Sequence, residues 1–396
     1  MEIKSVATHA VKDYTQETVD NAIKIIIDNL GGIEKFVSSG QTVLLKPNLV
    51  TAMEPEKCAT THPAVVHAVA KLCKMAGAKV IIGDSPGGPY NKKYLNAVYK
   101  KTGMMDVANK LGVELNKDFS DTTIACPEGK VTKKIPVLGA INKADVIINI
   151  AKLKTHSFAG FSAACKNMYG AIPGLVKAEW HNYFRDIHSF SHCCHDINLA
   201  LKDKIVLHIT DGIDGMEGPG PTSGTPVHIG LLMASECYSS LDTAVARIMD
   251  ENPSNLPTLS TAVERGLLNA EYSINIIGQD ITPFVNPKFK RVPAVVLFKP
   301  SGSRCVNWLF KKLFNQKPVV SKRKCKGCNK CFDHCPAKAV IIKQRRKGGY
   351  VTFDLEKCIR CMCCQELCPF HLVKVKRTML VKYMCSASRK RNRKTK

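Results

Sequence analysis

Apolar residues recur at Val19, Ala22, Ile23, Ile26 and Leu30, which predicts an amphipathic helix over residues 15–30, stopped by Gly31 and Gly32. T-V-L-L-K at 42–46 is a short apolar run that predicts a buried strand ending at Pro47 and Asn48. A second helix opens near Pro63, carries Val65, Val66, Val69 and Leu72, and stops at Gly77. K-V-I-I-G at 79–83 is the next strand and runs directly into Asp84, Ser85, Pro86, Gly87 and Gly88. Helical patterns follow at 91–101 and 105–111, then a hairpin over 123–137 that turns at 127–129. Two further apolar strands, 145–150 and 204–209, lead into A-K-L-K-T-H and T-D-G-I-D-G-M-E-G-P-G-P. Later strands are predicted near 227–233, 274–277 and 294–298, as extensions of the sheet or as a second lobe. Short apolar strands alternating with amphipathic helices specify an α/β domain, a mostly parallel sheet covered by helices.

At 396 residues the chain exceeds what one core usually supports. We expect an α/β domain over 1–300, an amphipathic linker over 301–322, a small cluster-binding α+β domain over 323–377 and a basic tail over 378–396. Residues 303–315 carry Val306, Trp308, Leu309, Phe310, Leu313 and Phe314 at helical spacing, which suits docking on a neighbouring surface. The first ten residues lack the apolar core of a leader, and no apolar run approaches a membrane span, so a cytoplasmic protein is expected. The charge is uneven. Residues 301–396 hold 26 Lys and Arg against 4 Asp and Glu, hence +22 of the total +25. The tail R-K-R-N-R-K-T-K would be solvated or would meet an acidic partner, nucleic acid or anionic lipid.

Eighteen Cys without a leader point to a reducing compartment, where thiols ligate metals or stay reduced. C-K-G-C-N-K-C-F-D-H-C-P supplies Cys325, Cys328, Cys331 and Cys335; C-I-R-C-M-C-C-Q-E-L-C-P supplies Cys358, Cys361, Cys364 and Cys368. Three thiolates on one tight loop hold three corners of a cubane, and the fourth Cys lies too far along to close the same one, so it serves the other. Cys325, Cys328, Cys331 and Cys368 are therefore expected to hold one [4Fe-4S] cluster, and Cys358, Cys361, Cys364 and Cys335 the second. Cys363 is an extra thiol beside a ligand, a spare or a substitute for Cys364. Zinc also binds C-x2-C pairs, but with longer gaps between pairs than these two complete runs provide. The segment resembles the bacterial two-cluster ferredoxins.

Four strands end in polar groups: Lys46 and Asn48; Asp84 and Ser85; Lys152, Lys154 and His156; Asp211, Asp214 and Glu217. In an open parallel sheet the carboxyl ends of the strands share one edge, where ligands bind, so the sets are expected to converge. Lysines there would pair with an anionic substrate and a carboxylate or His156 would accept a proton, which makes Lys46, Asp84, Lys154, His156 and Asp211 candidate catalytic residues. Asn48, Ser85, Lys152, Lys166, Asn167 and Glu217 are candidate binding residues. Wet loop ends would supply the same residue types without any site. G-D-S-P-G-G-P fits neither a dinucleotide nor a P-loop pattern. His188, His192 and His195, with Cys193, Cys194 and Asp196 beside them, would share a helix face able to hold a transition metal.

L-L-K-P-N-L, G-D-S-P-G-G, N-I-A-K-L-K-T-H, K-N-M-Y-G, D-G-I-D-G-M-E-G-P-G-P and A-S-E-C-Y-S-S-L-D-T-A-V-A-R-I-M together resemble the family catalogued as domain of unknown function 362, over residues 43–266. The resemblance implies this architecture with a C-terminal two-cluster ferredoxin module, and supplies no substrate. The reading that follows is an iron-sulfur oxidoreductase, partnered by a low-potential electron donor or acceptor protein, whose clusters take single electrons from the donor and deliver them to an anionic substrate or further cofactor at the crevice. The alternatives are a non-catalytic carrier or scaffold, and a nucleic-acid-binding protein with redox-sensing clusters. Aromatics are sparse in the basic quarter, which disfavours the last.

Overall fold

The computed structural model describes residues 3–292, 316–346 and 348–376. The predicted strand at 294–298, the linker pattern at 303–315 and the basic tail lie outside the described residues.

The apolar runs become the strands at the centre of one sheet. β2 (Thr42–Pro47) pairs in parallel with β3 (Lys79–Ile82) and with β7 (Val146–His156), and β7 pairs in parallel with β9 (Ile205–Glu217). β4 (Glu114–Leu115) closes one side beside β3. On the other side β10 (Thr225–Ser235) runs antiparallel to β9, β1 (Ser5–Ala10) antiparallel to β10, and β11 (Asn275–Gly278) parallel to β1. β8 (Gly160–Ser162) folds back on the end of β7. The result, among the described residues, is a mostly parallel mixed sheet of nine strands in the order β11-β1-β10-β9-β7-β2-β3-β4, with β8 off that path.

Alternate side chains feed opposite faces of the strands. Val43, Leu45, Ile148, Ile150, Leu207 and Ile209 pack under the helices Gln16–Asp28, Pro63–Met75 and Met104–Leu111. Leu44, Ile147 and Ile205 face the helix Ile187–Ala200 and the hairpin of β5 (Asp121–Ala125) and β6 (Lys134–Leu138). Two strands run longer than their apolar patterns. β7 continues through Lys152, Lys154 and His156, and all of its residues are buried. Pairing with β8 and β9 gives this polar stretch ladder partners, and its side chains find buried acceptors, so it need not become a wet loop.

The C-terminal segment is built of two similar halves. β12 (Lys317–Val320) pairs antiparallel with β15 (Val373–Lys376), and β13 (Val340–Lys343) with β14 (Tyr350–Phe353). Each cysteine run opens a short helix, Lys330–Asp333 or Cys363–Glu366. The halves also match in backbone conformation. Gly327 and Arg360, Asn329 and Met362, and Lys338 and His371 form equivalent pairs with φ of 63° and 60°, 59° and 64°, and 49° and 51°. A non-glycine residue in this left-handed region costs about 1–2 kcal/mol, so five such residues mark loops whose shape is fixed by what they hold.

Candidate functional site

The carboxyl ends of β2, β3 and β7 lie side by side, and a buried ion pair ties the first two together. Lys46 Nζ is 2.7 Å from Asp84 Oδ1, with side-chain exposures of 0% and 4%. Lys46 also donates to Asn167 O at 2.7 Å, and Asp84 Oδ2 accepts from Leu49 N at 2.8 Å. A Cβ on Gly170 would fall 2.3 Å from Asp84 Oδ1 and 2.7 Å from Lys46 Nζ, so only glycine lets the chain pass here. Asn48 extends the network, donating to Asn167 Oδ1 at 2.8 Å and accepting from Lys154 Nζ at 2.7 Å. The short helix Ala164–Asn167, which carries Lys166 and Asn167, is held by Asp242, whose carboxylate accepts from Ala164 N at 2.6 Å and Cys165 N at 3.1 Å.

Above this floor is a cavity of about 90 Å³, lined among others by Asn48, Asp84, Ser85, Lys154, His156, Lys166, Asn167, Lys177 and His181. Its remaining wall comes from the cysteine-rich segment, through Cys363, Glu366 and Leu367. Glu366 Oε1 lies 3.1 Å from His156 Nε2, and Gln365 Nε2 donates to Pro219 O at 2.8 Å, so the helix Cys363–Glu366 is docked on the α/β domain. His156 Nδ1 accepts from Phe158 N and Ala159 N at 3.2 Å each, which puts the ring proton on Nε2, facing Glu366.

Burial dominates the electrostatics. Lys154 is pushed down to about 7 by desolvation and by Lys166; its ammonium rests on the neutral acceptors Asn48 Oδ1 and Ala59 O. Lys177 is likewise pushed to about 7 by desolvation, and it donates to Ser85 O at 2.9 Å, Ser85 Oγ and Ile172 O. Burial and Lys166 lower His156 to about 4, and burial lowers His181 to about 3. For Glu366 burial acts in the opposite sense, but His156, Lys166 and His181 outweigh it and hold the carboxylate ionised, at about 2. The His181 Nδ1 atom has no hydrogen-bond partner. The cavity thus joins two carboxylates, Glu366 and the Lys46-paired Asp84, to three lysines, of which Lys166 stands over the rings of Tyr169 and Phe190 at 5.8 Å.

Cys325, Cys328, Cys331 and Cys368 line one small cavity in the C-terminal segment; Cys335, Cys358, Cys361 and Cys364 line another, which Cys363 also borders. The fourth cysteine of each run therefore stands with the other run's three. Backbone N–H groups point at two of these sulfurs, Ala339 N at 3.2 Å from Cys335 Sγ and Leu372 N at 3.4 Å from Cys368 Sγ. Among the described residues no three His, Cys, Asp or Glu close on a point as ligands of a single metal ion would. A cubane, with a metal at each of four corners, spreads its thiolates wider than tetrahedral zinc does, and four thiolates around a pocket with N–H donors fit it.

Several expected members of the site stand elsewhere. Lys152 and Asp211 form a fully buried ion pair at 2.8 Å, and Tyr14 Oη accepts from Lys152 and donates to Asp211 Oδ1, each at 2.8 Å. The β7–β9 register shifts between Lys152 and Lys154, and Asp211 is opposite Lys152, so this pair lies short of the cavity. Asp214 binds His228, and Glu217 binds Lys290. The three helix histidines also separate. His188 is exposed, His192 Nε2 is 3.5 Å from Glu264, and His195 is enclosed by Tyr238, Thr258 and Thr261. Residues 188 to 195 span two helical turns, so the face they share is split between solvent and core. Lys177, His181, Cys363 and Glu366 were not among the expected site residues. The first two follow the K-N-M-Y-G segment that carries Lys166 and Asn167, and the last two stand beside Cys364 on a helix starting in the second cysteine run.

A mixed α/β sheet with a ferredoxin-type 4Fe-4S module docked on its strand ends defines an iron-sulfur electron-transfer protein. The chain belongs to the family described as Domain of unknown function (DUF362), which matches residues 43–247, and the 4Fe-4S dicluster domain matches residues 324–372. It is similar to Thylakoid-associated protein sll1697 of Synechocystis sp., 32% identical over 266 residues, covering 67% of this chain and 80% of that protein. It is also similar to Uncharacterized ferredoxin MJ0722 of Methanocaldococcus jannaschii, 34% identical over 58 residues, covering 15% of this chain and 75% of that one. The lactate racemase apoprotein from Thermoanaerobacterium thermosaccharolyticum aligns at a TM-score of 0.36 and 14% identity, over 57% of this chain and 54% of that one. That likeness is too loose to carry an argument. Among the described residues no helix is long and apolar enough to cross a membrane.

Two substitutions separate floor from core. Asp84→Ala leaves Lys46 charged and unpaired and is expected to lower stability by about 3–5 kcal/mol, whereas Lys46→Met with Asp84→Leu loses much less. Asp211→Ala is expected to cost a similar amount, about 3–5 kcal/mol, through Lys152, without altering ligand binding in the cavity of the folded fraction. Urea unfolding of the full chain, with ligand titration, measures both.

Proposed function

We propose that this protein is an iron-sulfur oxidoreductase that delivers single electrons to a small anionic substrate held between the ferredoxin module and the strand ends of the α/β domain. Two [4Fe-4S] clusters would be held, one by Cys325, Cys328, Cys331 and Cys368 and the other by Cys358, Cys361, Cys364 and Cys335. When bound, they supply one-electron transfer at low potential. The observation that carries the reading is the shared wall. One short helix, Cys363–Glu366, bears a cluster cysteine, Cys364, and also lines the cavity through Cys363 and Glu366.

The side chains around the cavity support an anionic substrate of few atoms. About 90 Å³ admits several waters or a small organic acid. Lys166 offers an ammonium with no carboxylate in hydrogen-bond contact, and Lys154 and Lys177 are held by neutral acceptors, so an incoming carboxylate or phosphate meets cations that still lack a counter-charge. His181 Nδ1 and the Lys154 ammonium provide directional contacts. The Glu366–His156 pair completes the wall on the side of the ferredoxin module. A cavity lined by convergent polar groups favours an enzyme over a carrier, for which a shallow surface would suffice.

Protein prepared without oxygen is expected to contain about eight irons and eight sulfides. Four or fewer irons after reconstitution would refute the ligand assignment. Lys154→Met should keep its iron and lose binding of small carboxylates. The pH dependence has a definite sign. Lys154 and Lys177, both near 7, are cationic below that pH and neutral above it, so anion affinity should fall as pH rises through about 7. Calorimetric titration with a panel of small mono- and dicarboxylates from acid to alkaline pH measures this, and a flat profile would remove the two lysines from the site.

A further inference from the structure

The two cysteine groups have opposite surroundings. The group with Cys358, Cys361 and Cys364 adjoins the substrate cavity through Cys363, which borders both spaces. The group with Cys325, Cys328 and Cys331 faces outward, and Cys328 is exposed.

The rim of that outward face is strongly basic. Lys322, Arg323, Lys324, Lys326 and Lys330 are all exposed within one stretch of chain, and over residues 316–346 the single carboxylate is Asp333. Arg345 adds a donor from below, bonded to Cys325 O at 2.8 Å and to Lys322 O, which stiffens the loop. An aromatic ring stands out beside it: Phe370 is 46% exposed and lines the cavity of Cys325, Cys328, Cys331 and Cys368. An exposed aromatic beside a rim of like charge, at a redox site, forms a docking surface with an apolar centre and a polar rim. The sign of the rim selects the partner.

We propose that this face, centred on Cys328 and rimmed by Lys322, Arg323, Lys324, Lys326 and Lys330, docks an acidic one-electron carrier protein and is the port through which electrons enter. In that step the carrier's reduced centre loses one electron and the module gains one; no bond forms or breaks and no proton moves. The far group of cysteines, beside the cavity, is then the exit. The choice of exit rests on the function proposed above, whereas docking does not. Basic residues steer an acidic partner and orient it with the rim, which raises association rates by roughly ten- to a thousandfold at low salt. A nucleic acid or an anionic membrane would be drawn to the same charges, but neither exchanges electrons with a redox site.

The test uses the full-length, iron-loaded chain and an acidic plant-type [2Fe-2S] ferredoxin as probe. Calorimetry at low salt should detect a complex that high salt dissolves. Reversing Lys322→Glu, Lys326→Glu and Lys330→Glu should weaken the complex at least about tenfold. Neutralising Lys322→Gln, Arg323→Gln and Lys326→Gln should weaken it less and in the same direction, and this set decides should the reversed one assemble its iron poorly. Lys92→Glu with Lys93→Glu, exposed on the large domain, should leave affinity unchanged. Reduction by the reduced ferredoxin should slow in parallel with affinity, while a photoreduced deazaflavin, which needs no docking, should reduce all variants alike. Unchanged ferredoxin affinity in both variant sets overturns the proposal. So does a loss confined to binding an oligonucleotide or anionic phospholipid vesicles. These readouts stop at the module, so an inert cavity would leave the docking inference standing, and failed docking would leave the cavity reading untouched.

Discussion

Everything at the strand ends depends on a charge pair buried beneath the cavity. Lys46 and Asp84 come from adjacent parallel strands and meet with almost no exposure, so each is tolerable only because the other is there. The pair's remaining hydrogen-bonding capacity is used by the Asn167 carbonyl and the Leu49 amide, which fixes the chain at the end of β2 and the helix Ala164–Asn167 against β3. Gly170 must then be glycine, because a side chain would occupy the space of the pair itself. Asn48, Asn167 and Lys154 are positioned in turn by this anchor, through bonds of 2.7 to 2.8 Å. The cavity floor is therefore rigid before anything binds.

Charge that is balanced in the floor is left unbalanced in the walls. Lys154 is as buried as Lys46 and Lys177 is partly buried, but both find only carbonyls, an amide oxygen and a hydroxyl. A buried lysine with such partners loses part of its hold on its proton, which is why both sit near 7. An anion restores that hold. The two lysines are therefore the groups at the strand ends whose charge depends most on what lies beside them.

The fold was legible in the sequence wherever local pattern decides the outcome. The unbroken apolar runs at β2 and β3, the helix at Val19 to Ile26 and the hairpin at β5 and β6 follow from periodicity and turn residues. The polar extensions of β7 and β9 did not, because Lys152, Lys154 and His156 read as a wet loop unless their distant partners Asp211, Asn48 and Glu366 are known. The antiparallel β1 and β10 depend on pairings between the two ends of the domain, which no window of sequence contains. The cysteine runs were the opposite case. Their spacing alone implied crosswise grouping, since three residues between Cys331 and Cys335 cannot turn the chain back to the same pocket. Convergence of the strand-end residues was legible as a tendency of parallel sheets, but which of them converge was set by one shift of register between β7 and β9.

Glu366 explains why the two parts of the chain act as one. It is the carboxylate that the ferredoxin module sets facing His156 and, electrostatically, Lys166, Lys154 and His181. On an isolated ferredoxin module Glu366 would be an ordinary surface acid. Docking sets one carboxylate among these groups, and the Gln365 bond holds the helix Cys363–Glu366 against Pro219. Because Cys364 lies on the same helix, the contact that places Glu366 in the cavity wall also fixes the second cysteine group against the α/β domain, and a substitution that loosens one loosens the other.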